Sequence, residues 1–243
     1  MNNLLNVTLL GLAFGTIGTT IGGIIGICLK TTSNKFLSII LEFAAGLMMA
    51  VVCFELIPES LEYAGIVNTF IGVFLGIVCI IIFEEIINKN YINREKYEGI
   101  LKTGIIIAIG LAIHNFPEGI AIGSGFGASI KLGISLAIAI ALHDVPEGIS
   151  MSISMKAGGM GNSKVLILTI LSGVTTGVGA LLGGILGNIS HYFIGICLAF
   201  ASGCMLYIIS GELIPESKKL YKGRMAVIGN ILGFLVGIIV KLI

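Results

Sequence analysis

Residues 99–124 read GILKTGIIIAIGLAIHNFPEGIAIGS, and residues 130–156 read IKLGISLAIAIALHDVPEGISMSISMK. Each is an apolar run long enough, as a helix, to cross the hydrocarbon core of a bilayer. Each is interrupted near its middle by the same polar string, H-x-x-P-E-G. A membrane β-barrel would show short alternating segments instead, and in lipid a helix satisfies its own backbone hydrogen bonds. The pair therefore predicts two consecutive, antiparallel transmembrane helices with polar chemistry at their centres.

Outward from this pair, similar runs fill the chain. Predicted spans are 4–29, 36–62, 64–87, 99–124, 130–156, 163–187, 190–221 and 222–242. The reading is an all-α membrane protein with eight transmembrane helices, in which residues 1–243 form a single polytopic domain. Composition agrees: 56% of residues are hydrophobic and 11% are charged, against about 25% charged in soluble proteins. Too little polar surface remains to coat a water-soluble particle, so the expected surroundings are a lipid bilayer. The net charge of +1 comes with no basic patch that would suit nucleic acid. The first run lacks a charged leader and a clear small-residue cleavage site, and is read as a retained span.

Twelve of the fourteen basic residues fall on one side: Lys30, Lys35, Lys89, Arg94, Lys96, Lys102, Lys156, Lys164, Lys218, Lys219, Lys222 and Arg224. Lys131 and Lys241 fall on the other. Positive charge stays cytoplasmic, which predicts extracellular termini and a multi-pass protein of the plasma membrane. Cys28, Cys53, Cys79, Cys197 and Cys204 lie in apolar stretches without a C-x-x-C pair. They read as small buried apolar side chains, not as a disulfide framework or thiolate site. Recurrent G-x-x-x-G pairs, such as Gly11/Gly15 and Gly229/Gly233/Gly237, predict close helix packing within one bundle.

The chain has four prolines, each followed by Glu and preceded at three residues by Glu or His. The copies begin at Glu55, His114, His143 and Glu212, and the first and last share the string ELIPES. Those two fall on spans two and seven, which run oppositely, as in an inverted repeat of three spans about a central pair.

Residues i and i+4 share a helix face, so His114 with Glu118, and His143 with Glu147, form two-ligand faces. Both histidines lie roughly 20 Å into their spans, near the midplane. Ionisable groups at that depth face a polar cavity or a partner. Imidazole with carboxylate suits zinc, iron or manganese, whereas calcium and magnesium prefer oxygen-only shells. Mid-helix proline removes a donor and clashes with the carbonyl four residues back, here Ile113 and Leu142, which predicts a kink beside each histidine. Asn115 and Asp144 are placed to reach a second metal, with Glu118 and Glu147 bridging. Glu55, Glu59, Glu212 and Glu216 lie nearer the span ends and are candidate pathway residues. Glu84, Glu85 and His191 read as interfacial, and Met48 and Met49 as packing.

At HNFPEG (114–119) and HDVPEG (143–148) the sequence resembles the ZIP (Zrt-/Irt-like protein) family of metal transporters, over the whole chain. The resemblance implies uptake of zinc or a related divalent ion, including iron, manganese or cadmium, into the cytosol. It also implies a 3+2+3 inverted-repeat fold and, in many members, a homodimer. The family's first metal position maps to His114, Glu118, His143 and Glu147, and its second to Asn115, Glu118, Asp144 and Glu147. Many relatives carry a Glu-Pro pair on span six. Thr176 and Gly177 stand there instead, which leaves the second position short of a carboxylate. The loop after span three lacks the histidine cluster found in many relatives.

The metal is expected as transported substrate, with no organic cofactor and no enzymatic activity. Two rival readings of the same residues stay open: a proton-coupled carrier of an organic substrate, and an intramembrane metalloenzyme. For the latter, H-E-x-x-H is absent.

Overall fold

The computed structural model describes residues 4–29, 33–87, 89 and 100–242, and the side chains of residues 87 and 100–107 lie outside that description. The described residues form helices and no strands. Helix α1 is Leu4–Cys28. Asn34–Val51 passes through a π turn, Val52–Leu56, into Ile57–Ile87, which is interrupted at Gly65 (φ 75°, ψ 167°). The chain reverses there. The Ser60 and Thr69 hydroxyls meet at 2.9 Å, whereas nine residues of continuous helix would separate them by roughly 13 Å. Glycine is suited to this left-handed backbone. Residues 34–64 are labelled α2 and residues 66–87 α3.

Helix α4 is Ile100–Ala128, α5 Ile130–Ala157 and α6 Asn162–Ile189. Helix α7 begins as His191–Ile208 and continues through a second π turn, Ile209–Leu213, into Ile214–Leu220. Helix α8 is Arg224–Leu242. Ser33, Ser129 and Ser190 cap α2, α5 and α7, each accepting a backbone N–H from three residues on, as a serine N-cap does.

Six helical stretches among the described residues are long and apolar enough to cross a membrane: Leu4–Cys28, Asn34–Ile86, Ile130–Ala157, Asn162–Ile189, His191–Leu220 and Arg224–Leu242. The second is 53 residues long, about twice one crossing, and contains the reversal at Gly65. The loop 90–98 and the basic residues Lys30, Arg94 and Lys96 lie outside the described residues, as does the side chain of Lys102.

The helices sort into two groups. Helices α1, α4, α5 and α6 pack on one another, chiefly α4 on α6 and α1 on both α5 and α6. Helices α2, α3, α7 and α8 form the other group, through α3 on α7 and α2 on α8. Glycines set the spacing inside each group. A Cβ on Gly119 of α4 would run into the Thr176 carbonyl of α6, and one on Gly233 of α8 into that of Phe43 in α2. The G-x-x-x-G pairs of Gly179/Gly183 and Gly229/Gly233/Gly237 serve this packing within the molecule. Large apolar side chains such as Phe70 and Phe74 face outward.

Two expectations need correction. Cys28 and Cys53 are exposed on the bundle surface, and only Cys197 and Cys204 are buried. An apolar run in a membrane protein does not tell the lipid-facing side from the packed side, because both are apolar. The helices α4 and α5 also run through Pro117 and Pro146 as continuous α-helix. The widened turns lie ahead of Pro58 and Pro215 instead. There the missing N–H and the ring clash are relieved by a π turn, a common adjustment within α-helices.

Candidate metal centre

The polar residues of the first group converge in its core. Helix α4 contributes Asn115 and Glu118, α5 contributes His143, Asp144 and Glu147, and α6 contributes Thr176. All are buried, Glu147 to 4% exposure and the others to 0%. Close packing of α4 on α6 at Gly119 brings Thr176 beside the α4 motif.

His143 anchors the arrangement. Its Nδ1 lies 3.1 Å from the Ala139 carbonyl. A carbonyl only accepts, so Nδ1 carries a proton and donates it, and Nε2 is the nitrogen that faces inward. That nitrogen lies 2.9 Å from Glu118 Oε1 and 3.7 Å from Asp144 Oδ1. A lone pair facing carboxylate oxygens needs a proton or a metal cation between them. The two spacings bracket the roughly 3.3 Å edge of a tetrahedron built from zinc bonds to nitrogen and oxygen. Glu118, His143 and Asp144 each offer a ligand atom, all within 4.8 Å of one another.

The remaining donors point to the same need. Asn115 donates its Nδ2 to the Ser172 carbonyl at 3.0 Å, which leaves Oδ1 free. Glu118 Oε2, both Asp144 oxygens, both Glu147 oxygens and Thr176 Oγ1 are buried without a hydrogen-bond partner. No lysine or arginine among the described residues pairs with these carboxylates. Buried charge without a partner is among the costliest arrangements in a protein, and a cation shared by these oxygens would relieve it.

His114 goes elsewhere. Its Nε2 lies 3.2 Å from Glu212 Oε2 of α7, an ion-pair distance, while both ring nitrogens lack hydrogen-bond geometry. His114, Glu147, Glu212 and Glu216 line a cavity of about 540 Å³ that extends to Lys219. Of the four ligands expected first, Glu118 and His143 touch, while His114 and Glu147 border this adjoining cavity. Glu55 and Glu59 line a separate pocket of about 120 Å³ with Lys131 and Lys241 at the opposite end. Along α5, Leu136, Ala139 and Ile140 lie between that pocket and His143, and all are 0% exposed.

Several polar residues escaped the sequence reading. Glu42 is buried in α2, where Ser217 and Asn230 donate to its two oxygens at 3.3 and 3.0 Å. Its signal was present, since an ionisable residue inside a span is a site candidate by default. Glu84, expected as interfacial, accepts from Tyr207 Oη at 2.8 Å and is half-buried. Ser135 is paired with Glu55 and carried no motif that marks it. Met48 is packed in the core, and His191 stacks on Tyr63.

An apolar exterior around a buried cluster of His, Asp and Glu side chains defines the class: an integral membrane protein with polar, metal-ligand side-chain types inside its helix bundle. Comparison with known proteins makes this particular. Residues 89–243 match the family described as ZIP zinc transporter. The chain is 34% identical over 273 residues to the zinc transporter ZupT of Clostridium perfringens, covering 97% of this chain and 95% of that one. It is 33% identical over 248 residues to ZupT of Streptococcus mutans, covering 92% of each. It is also 32% identical over 175 residues to the zinc transporter GufA of Myxococcus xanthus, covering 70% and 69%. The chain belongs to the ZIP family.

Proposed function

We propose that this protein carries divalent transition-metal ions, zinc foremost, across the plasma membrane into the cytosol. The observation that carries the reading is the set of buried, unpartnered donor atoms on Asn115, Glu118, Asp144, Glu147 and Thr176 around His143. Imidazole with carboxylates is a donor set suited to zinc, and the curated relatives are named as zinc transporters.

Eight spans follow if the chain is counted as two crossings about Gly65 and α4 as one more. The packing supports a 3+2+3 inverted repeat. Exchanging α1 with α6, α2 with α7, α3 with α8 and α4 with α5 turns the pair α4·α6 into α5·α1, and α3·α7 into α8·α2. All of these are contact pairs. The two ELIPES strings carry the same π turn, ending at Leu56 and Leu213. Lys156, Lys164, Lys218, Lys219, Lys222 and Arg224 belong to one end of this topology, which is read as the cytosolic one. The termini are then extracellular. A homodimer remains an expectation of the family, to be tested by mass measurement in detergent.

In this reading a cation arrives past Glu59 and Glu55 and exchanges water for Glu118, His143 and Asp144. Helices α1, α4, α5 and α6 then move as a group against the other four. The cation leaves through the cavity of Glu147, His114, Glu212 and Glu216. The Leu136–Ile140 layer separates the centre from the outer pocket in the conformation described. No G-x-x-x-x-G-K-[ST] string is present, so the drive is the ion gradient, the membrane potential or coupled protons. The test is zinc flux into vesicles holding purified protein. Glu118→Ala and His143→Ala should each abolish it, and undiminished flux in both would sink the assignment.

A further inference from the structure

Among the described residues, polar side-chain contacts cross between the two helix groups at both ends. At the cytosolic end, His114 Nε2 meets Glu212 Oε2 in the open cavity. At the other end, Ser135 Oγ of α5 donates to Glu55 Oε1 of α2 at 2.5 Å, and lies 3.5 Å from the Val240 carbonyl of α8. The second pair is sealed: Ser135 is 6% exposed and Glu55 3%.

Glu55 is only half satisfied. Its Oε1 has Ser135, while its Oε2 is buried and without a partner. The residue borders the outer pocket together with Glu59, Lys131 and Lys241. Lys241 does not pair with it. The lysine donates at 2.6 Å to the Phe54 carbonyl, the oxygen that Pro58, four residues on, cannot bond. The carboxylate therefore joins two groups of helices through one oxygen and offers the other to whatever cation enters the pocket.

Resting on the two-group transport reading, we propose that the Glu55–Ser135 hydrogen bond is the outer latch of the protein. It holds the donor-bearing group against the other group in the sealed conformation. A divalent cation in the outer pocket releases it by taking the Glu55 carboxylate. Ser135 is a positioning residue, acting through Glu55 and not on the metal.

The geometry supplies a direct readout. Ala139 lies one helical turn beyond Ser135 and one turn short of His143, and is 0% exposed. A cysteine at Ala139, in a chain whose five native cysteines are replaced by alanine, reports opening to the outer face. The probe is a cationic, membrane-impermeant methanethiosulfonate added outside right-side-out vesicles. Loss of a hydrogen bond to a charged acceptor should raise the modification rate about tenfold in Ser135→Ala. Ser135→Thr, which keeps the hydroxyl, should return it to the parent rate. Glu55→Gln retains an acceptor for Ser135 but loses the anionic handle, so labelling should stay slow while zinc uptake falls. Equal labelling in Ser135→Ala and the parent overturns the latch. Fast labelling or undiminished uptake in Glu55→Gln overturns the release step. Zinc uptake by the Ala139→Cys parent separates these results from failure of the transport reading, which would appear as no uptake at all.

Discussion

Two of the regions that bury carboxylates differ in one respect. Glu42, in the α2–α7–α8 group, has a donor for each oxygen, from Ser217 and Asn230. Ser38 closes the network by meeting the Ser217 hydroxyl at 2.8 Å. Glu118, Asp144 and Glu147, in the other group, hold five oxygens without any hydrogen-bond partner. Burial is nearly equal in the two places: 4% for Glu42 and Glu147, and 0% for Glu118 and Asp144. In the transport reading, the missing partner is what separates a ligand carboxylate from a structural one. A satisfied group contributes to folding, whereas an unsatisfied set is tolerated where a ligand completes it.

The largest expected effect falls on the unsatisfied side. Glu118→Ala should lower zinc uptake by about a hundredfold or more, since loss even of a residue that merely orients a ligand costs up to about that much. Its metal-free melting temperature should fall less than that of Glu42→Ala, because Oε1 of Glu118 meets His143 while its Oε2 is buried without a partner. Zinc flux and thermal melting of the same preparation check both. A fall as large as that of Glu42→Ala would erase the contrast.

The converse holds for Glu42→Ala. Loss of the hydrogen bonds that Asn230 and Ser217 give to the Glu42 carboxylate should cost about 2 kcal/mol of stability, read as a lower melting temperature in detergent. Zinc uptake per folded molecule should stay near the parent level. Strong loss of uptake at full folding would move Glu42 into the pathway.

Acidification sharpens the contrast by chemistry. Metal must displace protons from the donors it uses. Apparent zinc affinity should therefore weaken by about tenfold per pH unit for each proton displaced. Competition binding across pH 5 to 7 reads the slope, and a flat profile would contradict ligation by His143 and the carboxylates.

The smallest effect concerns Thr176. Its hydroxyl is buried and unpaired at the centre, where relatives with a carboxylate would supply charge. Thr176→Val keeps the shape and should weaken zinc affinity by less than about tenfold. Thr176→Glu tests the other direction and should raise the number of metal ions bound per chain, as read by elemental analysis.

What the sequence revealed follows from which forces act locally. Apolar run lengths located the spans, and the boundary expected between residues 62 and 64 lies beside the Gly65 reversal, because a left-handed turn between two apolar runs has a local signature. The motifs at 114–119 and 143–148 pointed to residues that gather in the buried cluster, since a charged string inside an apolar run is visible without a fold. The partition of its members was not visible. His114 and Glu118 share a helix face, yet Glu212, 98 residues further along than His114, draws the first towards the cavity. Ser135 was silent for the same reason, because its partner Glu55 is 80 residues away. Glu42 is legible in the sequence as an ionisable residue inside an apolar span.

In the transport reading, the donors of α4 and α5 hold the transported ion. Anomalous diffraction at the zinc edge, from crystals grown with zinc, tests it directly. The expected result is a peak about 2.0–2.2 Å from His143 Nε2 and from oxygens of Glu118 and Asp144. Zinc-loaded crystals with no peak there, and occupancy only at surface carboxylates such as Glu216, would contradict it.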